Sequence, residues 1–110
     1  MKKYTQADLA GDLAGIFPEF GPVWAADHGG EFSSSNLHSV YQSFLPFLAS
    51  VRPGNEQWKL VADHLNKAVA AGGDQENAAA TCVLEHLHHV KIHRVLWPLL
   101  SKEARACVRA

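Results

Sequence analysis

The sequence predicts an all-α protein, a compact bundle of about five helices with a long loop after the first helix and a central fourth helix. Three observations predict it. Apolar residues recur at three- and four-residue intervals along most of the chain. Proline, glycine and cap-forming residues punctuate these runs at distances suited to helices. No segment shows the convincing apolar/polar alternation of paired strands. Residues 1–110 read as one domain: with 110 residues, 47% of them hydrophobic and 19% charged, the chain buries roughly 60 to 70% of its extended surface on folding.

The first helix is expected over residues 5–17. Thr5 is placed to cap it, Asp8 stands at the third helical position, and Leu9, Leu13, Ile16 and Phe17 recur on one face until Pro18 stops the pattern. From Pro18 to Ser35 the stretch PEFGPVWAADHGGEFSSS is rich in glycine, proline and serine, so a packed loop is expected, with at most a short helical turn at VWAAD. Ser35 or Asn36 caps a second helix carrying Leu37, Val40, Tyr41, Phe44, Leu45 and Leu48. Pro46 predicts a bend near residue 42 or a broken last turn.

Arg52-Pro53-Gly54-Asn55 marks a turn into a third helix over Asn55–Ala71, with Trp58, Val61, Leu65, Ala68 and Val69 facing inward. Gly72-Gly73 ends it. The fourth helix is expected from Asp74 to about Leu96. Its apolar residues spread around much of the circumference, as in a helix with neighbours on several sides. Ser101 caps a short last helix through Val108.

No apolar run approaches the roughly 20 residues of a membrane span, and no hydrophobic stretch or cleavage site follows Lys2 and Lys3. Cys82 and Cys107 are too few for a disulfide scaffold, which suits a cytoplasmic protein. The formal net charge of -1 hides an asymmetry. Asp8, Asp12, Glu19, Asp27 and Glu31 outnumber Lys2 and Lys3 in the first 31 residues, and the remainder is weakly basic. That pattern lacks the dense basic stripe of a nucleic-acid binder, and the acidic end is suited to a basic protein partner.

The segment EHLHHVKIH carries four histidines and a glutamate. On one helix Glu85, His89 and His93 succeed one another at four-residue intervals, and His86 joins their flank while His88 points elsewhere. These are chemically suitable zinc ligands, so a metal-dependent enzyme or metal-responsive binder is one alternative. Two turns of a straight helix spread them too far along its axis to converge easily, and the HExxH order is absent. Cys82 and His86 have the spacing of a nucleophile and base, yet a cysteine on a central helix is more commonly a packing group. The expectation is therefore no catalytic site and no cofactor.

The stretches FLPFLAS and WKLVADHLNKAVAAGGDQENAAATCVLEHL carry a more specific pattern. An aromatic-apolar helix is followed by a helix ending in Gly-Gly-Asp, then by a helix with Leu84-Glu85-His86-Leu87. Over roughly residues 37–96 this resembles small all-helical bacterial immunity proteins associated with contact-dependent growth-inhibition or other polymorphic toxins. Ile16-Phe17-Pro18-Glu19-Phe20 extends the likeness. The resemblance implies a cytoplasmic inhibitor that covers the active or essential surface of one cognate toxin domain, a nuclease being one candidate, without binding nucleic acid or membrane itself. The alternative to both is a general interaction or homodimeric domain.

Candidate partner-binding residues are Glu19, Asp27 and Glu31 for basic groups, Trp24 or Phe32 as an anchor if exposed, and His28, Glu85, His89 and His93 as secondary contacts. Replacing Asp27 and Glu31 together is expected to slow association with a basic partner and flatten its salt dependence without unfolding the protein. Stopped-flow association over a salt series checks this; an unchanged rate removes that surface from consideration.

Overall fold

Thr5 closes the start of α1 (Gln6–Ile16) with a reciprocal capping box. Its hydroxyl accepts the Asp8 N–H at 3.3 Å, and the Asp8 carboxylate accepts the Thr5 N–H at 3.0 Å, which satisfies two backbone donors that a helix start leaves orphaned. The computed structural model describes residues 4–28, 37–87 and 92–108, with the backbone alone for 25–28. Among them the chain forms seven α-helices and two 3-10 turns. None of these helices is long and apolar enough to cross a membrane.

Where a loop was expected, residues Phe20–His28 form a helix, α2. Pro22 is compatible with it because it occupies the first turn, where a backbone N–H has no intrahelical acceptor. Phe20 and Trp24 are buried on its inner side. The expected loop is thus shortened, and its remainder, including Glu31, Phe32 and the Ser35/Asn36 cap, lies outside the described residues.

Helix α3 (Leu37–Ser50) contains Pro46 within its span. The proline ring removes the N–H that would reach the Gln42 carbonyl. Both Gln42 and Pro46 lie on the exposed side, so water can satisfy that carbonyl and the cost of the proline is not compounded by a buried orphan group. The opposite side buries Val40, Tyr41, Phe44, Phe47 and Leu48. Phe44 and Phe47 meet Phe17 and Phe20 in an aromatic cluster, with an edge-on Phe20–Phe44 pair at 5.2 Å and a Phe17–Phe47 pair at 5.6 Å between centroids. Such pairs add about 0.5–1.5 kcal/mol beyond their area burial. This cluster joins α1 and α2 to α3.

Helix α4 (Asn55–Ala71) matches the expected span and buries Val61, Ala62, Leu65, Ala68 and Val69. Gln57 fastens its start, accepting the Gly54 N–H and donating to the Ile16 carbonyl at the end of α1. Its end requires glycine: Gly72 and Gly73 have φ of 71° and 56°, a left-handed region that side chains disfavour.

The single helix expected over Asp74–Leu96 is broken. Helix α5 (Gly73–Cys82) gives way to a 3-10 turn at Leu84–His86, and the next described helix is α6 (His93–Leu96). Residues 88–91, with His88 and His89, lie outside the described part. Val83, Leu84 and Leu87 are all fully buried. Helix α5 packs against both α3 and α4. A second 3-10 turn, Trp97–Leu99, leads to α7 (Lys102–Cys107), which Ser101 caps by accepting the Ala104 N–H at 3.1 Å.

The radius of gyration, 13.0 Å, is that of a compact domain of this length. Two substitutions on α3 are expected to act in opposite directions. Phe44→Ala should lower stability by about 3–5 kcal/mol through the cavity it leaves. Pro46→Ala should raise it by about 1–3 kcal/mol, because it restores a helical donor on the exposed side. Urea unfolding monitored by circular dichroism measures both.

Candidate functional site

Tyr41 presents a phenol to the interior, where an unpaired hydroxyl is costly. It is 2% exposed, and its oxygen lies 2.8 Å from His64 Nε2 on α4. Burial raises the Tyr41 pKa, with Asp12 and Cys82 adding to the shift, so the phenol keeps its proton. Burial also lowers the His64 pKa from its ordinary 6.5; the Asp12 carboxylate opposes that shift and Lys67 adds to it. A protonated phenol and a neutral imidazole satisfy one another through this hydrogen bond, whose direction the imidazole tautomer sets.

His64 also lines a surface cavity of about 190 Å3 with Tyr4, Asp12, Lys67, Ala68 and Gln75. The Tyr4 hydroxyl donates to the Asp12 carboxylate. Burial, followed by this bond and the charge of Asp12, raises the Tyr4 pKa. The cavity is lined from three helices and the N-terminal segment, and it mixes the Asp12 carboxylate of α1 with the Lys67 ammonium and the neutral His64 imidazole of α4.

A second polar group ties α3 to α5. His38 Nδ1 stands 3.1 Å from Cys82 Sγ, and its Nε2 stands 3.4 Å from Asn77 Nδ2. A cysteine, a histidine and an asparagine are thus adjacent, a set that elsewhere performs nucleophilic catalysis. Thr81 donates to Asn77 Oδ1 at 3.4 Å, extending the group along α5. The His38 tautomer decides which ring nitrogen donates and which accepts. Burial raises the Cys82 pKa, partly offset by a hydrogen bond from Gln42, and Glu85 adds to the rise. Cys82 also ends α5, where the helix dipole opposes a thiolate. These residues form an interhelical lock.

The expected site residues are dispersed. Glu19 is exposed in the turn before α2. Trp24 is 5% exposed and belongs to the core, so it is unavailable as an anchor. Asp27 and His28 fall in the last turn of α2 by backbone position; their side chains, like Glu31, Phe32 and His89, lie outside the described part. Glu85 and His86 sit in the 3-10 turn and His93 opens α6, so the single-helix register proposed for a metal is lost. Among the described residues no group of three or more His, Cys, Asp or Glu side chains is arranged to hold a metal ion. His38 rather than His86 supplies the imidazole seen against Cys82.

The structure adds features on the opposite side of α4. Asn66 clamps the C-terminal turn twice, donating to the Leu99 carbonyl at 3.2 Å and accepting the Ser101 N–H at 2.8 Å. Arg105 donates to the carbonyls of Trp97 and Pro98 at 3.0 and 3.2 Å, and its guanidinium lies 5.3 Å from the Trp97 ring centroid. Beside this turn is a groove of about 270 Å3 lined by Asn55, Trp58, Lys59, Val95, Pro98 and Leu99. Periodicity gives no sign of these clamps, since Asn66 acts on backbone 33 and 35 residues away and Arg105 reaches back across the turn to carbonyls eight and seven residues before it. Comparison with family models, curated proteins and solved structures finds no match to the chain.

The His64 environment generates a pH dependence with a definite sign. Unfolded His64 takes up a proton as pH falls through 6.5, and folded His64 resists because its pKa is lower. The unfolded state therefore binds more protons, and the stability present above 6.5 is lost as pH falls toward the folded value. Urea midpoints at pH 8 and pH 5 should differ more for the natural protein than for His64→Gln; an identical drop in both would assign the effect elsewhere.

Proposed function

We propose that this chain is an immunity protein, which binds one bacterial toxin domain and neutralises it by covering a surface the toxin needs. The observation that carries the reading is the use made of its polar side chains. His38, Asn77 and Cys82, then Tyr41 and His64, then Asn66 and Arg105 are engaged in bonds between elements or across turns. Such locks hold a scaffold rigid, and a rigid surface loses less ordering entropy when a partner docks.

The residues that carry the likeness to immunity proteins support the same reading. In FLPFLAS, Phe44, Leu45, Phe47 and Leu48 are buried; in the later stretch Val61, Leu65, Ala78, Ala79, Leu84 and Leu87 are buried. The shared pattern is thus a pattern of core positions, and the exposed positions between them are left to vary with the partner. Inhibition by this route is steric, and any charge complementarity acts chiefly on the rate of encounter.

The test has two steps: whether a large secreted protein with a variable C-terminal domain is encoded beside the gene, and co-expression of the chain with that domain. The expected outcome is rescue of growth together with a stable complex on size-exclusion chromatography. Neither rescue nor association would overturn the proposal. Stoichiometric zinc retained by the untagged protein, and lost when His89 and His93 are replaced, would favour a metal-dependent role instead.

A further inference from the structure

We infer that the cavity lined by α1, α4 and α5 is a binding site for a small zwitterion of the α-amino acid class, whose ammonium meets Asp12 and whose carboxylate meets Lys67 and Gln75. The site needs no partner protein, so it stands independently of the immunity reading.

The placement of opposite charges is the first support. Asp12 of α1 and Lys67 of α4 line one cavity of about 190 Å3. Among the described residues they form no ion pair with each other: Asp12 accepts from the Tyr4 hydroxyl through Oδ2, and Lys67 has no bonding partner. Both charges nevertheless act on the same imidazole, Asp12 raising the His64 pKa and Lys67 lowering it. A carboxylate oxygen and an ammonium are thus held beside one ring, each with bonding capacity left.

The polar groups left open are the second. Elsewhere His38, Tyr41 and Asn66 direct their polar atoms at other elements. His64 uses Nε2 for Tyr41, and among the described residues its Nδ1 has no partner. The amide of Gln75 on α5 has none either, although both side chains are half-buried. Polar atoms drawn out of bulk water cost stability unless water or a ligand satisfies them. Tyr4 holds the Asp12 carboxylate in place beforehand, which lowers the ordering cost of binding.

Charge and size select the occupant. A lone cation drawn to Asp12 meets the like charge of Lys67, and a lone anion drawn to Lys67 meets that of Asp12. A molecule carrying both charges is attracted at each end. The volume lies below the roughly 300 Å3 at which sites for drug-sized ligands begin, and Ala68 adds an apolar methyl to the wall. A short side chain fits that space and a large aromatic one does not.

The experiment is proton–nitrogen correlation NMR of the isotopically labelled full chain, titrated with glycine and L-alanine and, separately, with acetate, methylammonium and L-tryptophan. Both small amino acids should give saturable shifts at the Gln75 side-chain amide and the His64 ring. The three other probes should bind at least about tenfold more weakly. Asp12→Asn keeps an acceptor for the Tyr4 hydroxyl and Lys67→Met keeps the apolar stem; both positions are exposed, and circular dichroism melts verify folding. Each substitution should weaken L-alanine binding about tenfold. Asp63→Asn, at an exposed position of α4 outside the lining, should change it less than about twofold. Absence of saturable shifts with both amino acids overturns the assignment. Methylammonium or acetate binding as tightly as L-alanine would reduce the site to a contact with one charge and overturn it too. Equal binding of L-tryptophan would place the contact on open surface, with the same consequence. In each case the immunity reading stands or falls on its own test.

Discussion

The close approach of α3 and α4 to α5 is the constraint on which the remaining geometry depends. Helix α5 buries Ala78, Ala79 and Cys82, and two larger helices pack against it. Small side chains permit that approach because interiors are filled to crystal-like density, and one added methylene is felt by its neighbours. With α3 held there, His38 reaches Cys82 and Asn77. With α4 held on the other side, His64 comes within hydrogen-bonding distance of Tyr41. A longer side chain at Ala78 or Ala79 would separate helices whose polar groups are paired across the gap.

Buried polar groups thereby specify an arrangement that apolar packing alone would leave less sharply defined. The phenol of Tyr41 and the imidazole of His64 satisfy one another, and each would be costly alone. The same reasoning covers Asn66, whose carboxamide provides one donor and one acceptor to the backbone around Leu99 and Ser101. A single side chain on α4 thus fixes the position of a C-terminal segment that has no long helix of its own. The groove beside Trp58 exists because this segment is held against α4 without closing over it.

Local chemistry in the sequence identified α1, the long α4 and the cap of α7, since Thr5, Gly72-Gly73 and Ser101 act over one turn. The helical periodicity of Leu37 to Leu48 likewise marked the buried side of α3. Pro22 was misleading: proline and glycine look like loop residues, yet a first helical turn accepts proline freely. The fourth helix failed for a different reason. The apolar residues from Cys82 to Trp97 spread around the circumference of the expected helix, a pattern that fits many neighbours, whereas the α-helix ends at Cys82 and a 3-10 turn follows. The site was legible in residue types far more than in partners, because the mates of His38 lie 39 and 44 residues away, that of Tyr41 23, and those of Asn66 33 and 35.

The group around His38 joins helices whichever ring nitrogen carries the proton. His38 on α3 stands 3.1 Å from Cys82 Sγ and 3.4 Å from Asn77 Nδ2, both on α5. Drawing a proton from sulfur requires the ring nitrogen facing Sγ to accept, and the tautomer sets that role. Removing the thiol proton would place a negative charge at the C-terminal end of α5, where burial and the helix dipole both oppose it. The neutral thiol leaves a short polar contact between two packed helices, which satisfies His38 without a charge that the surroundings would have to stabilise.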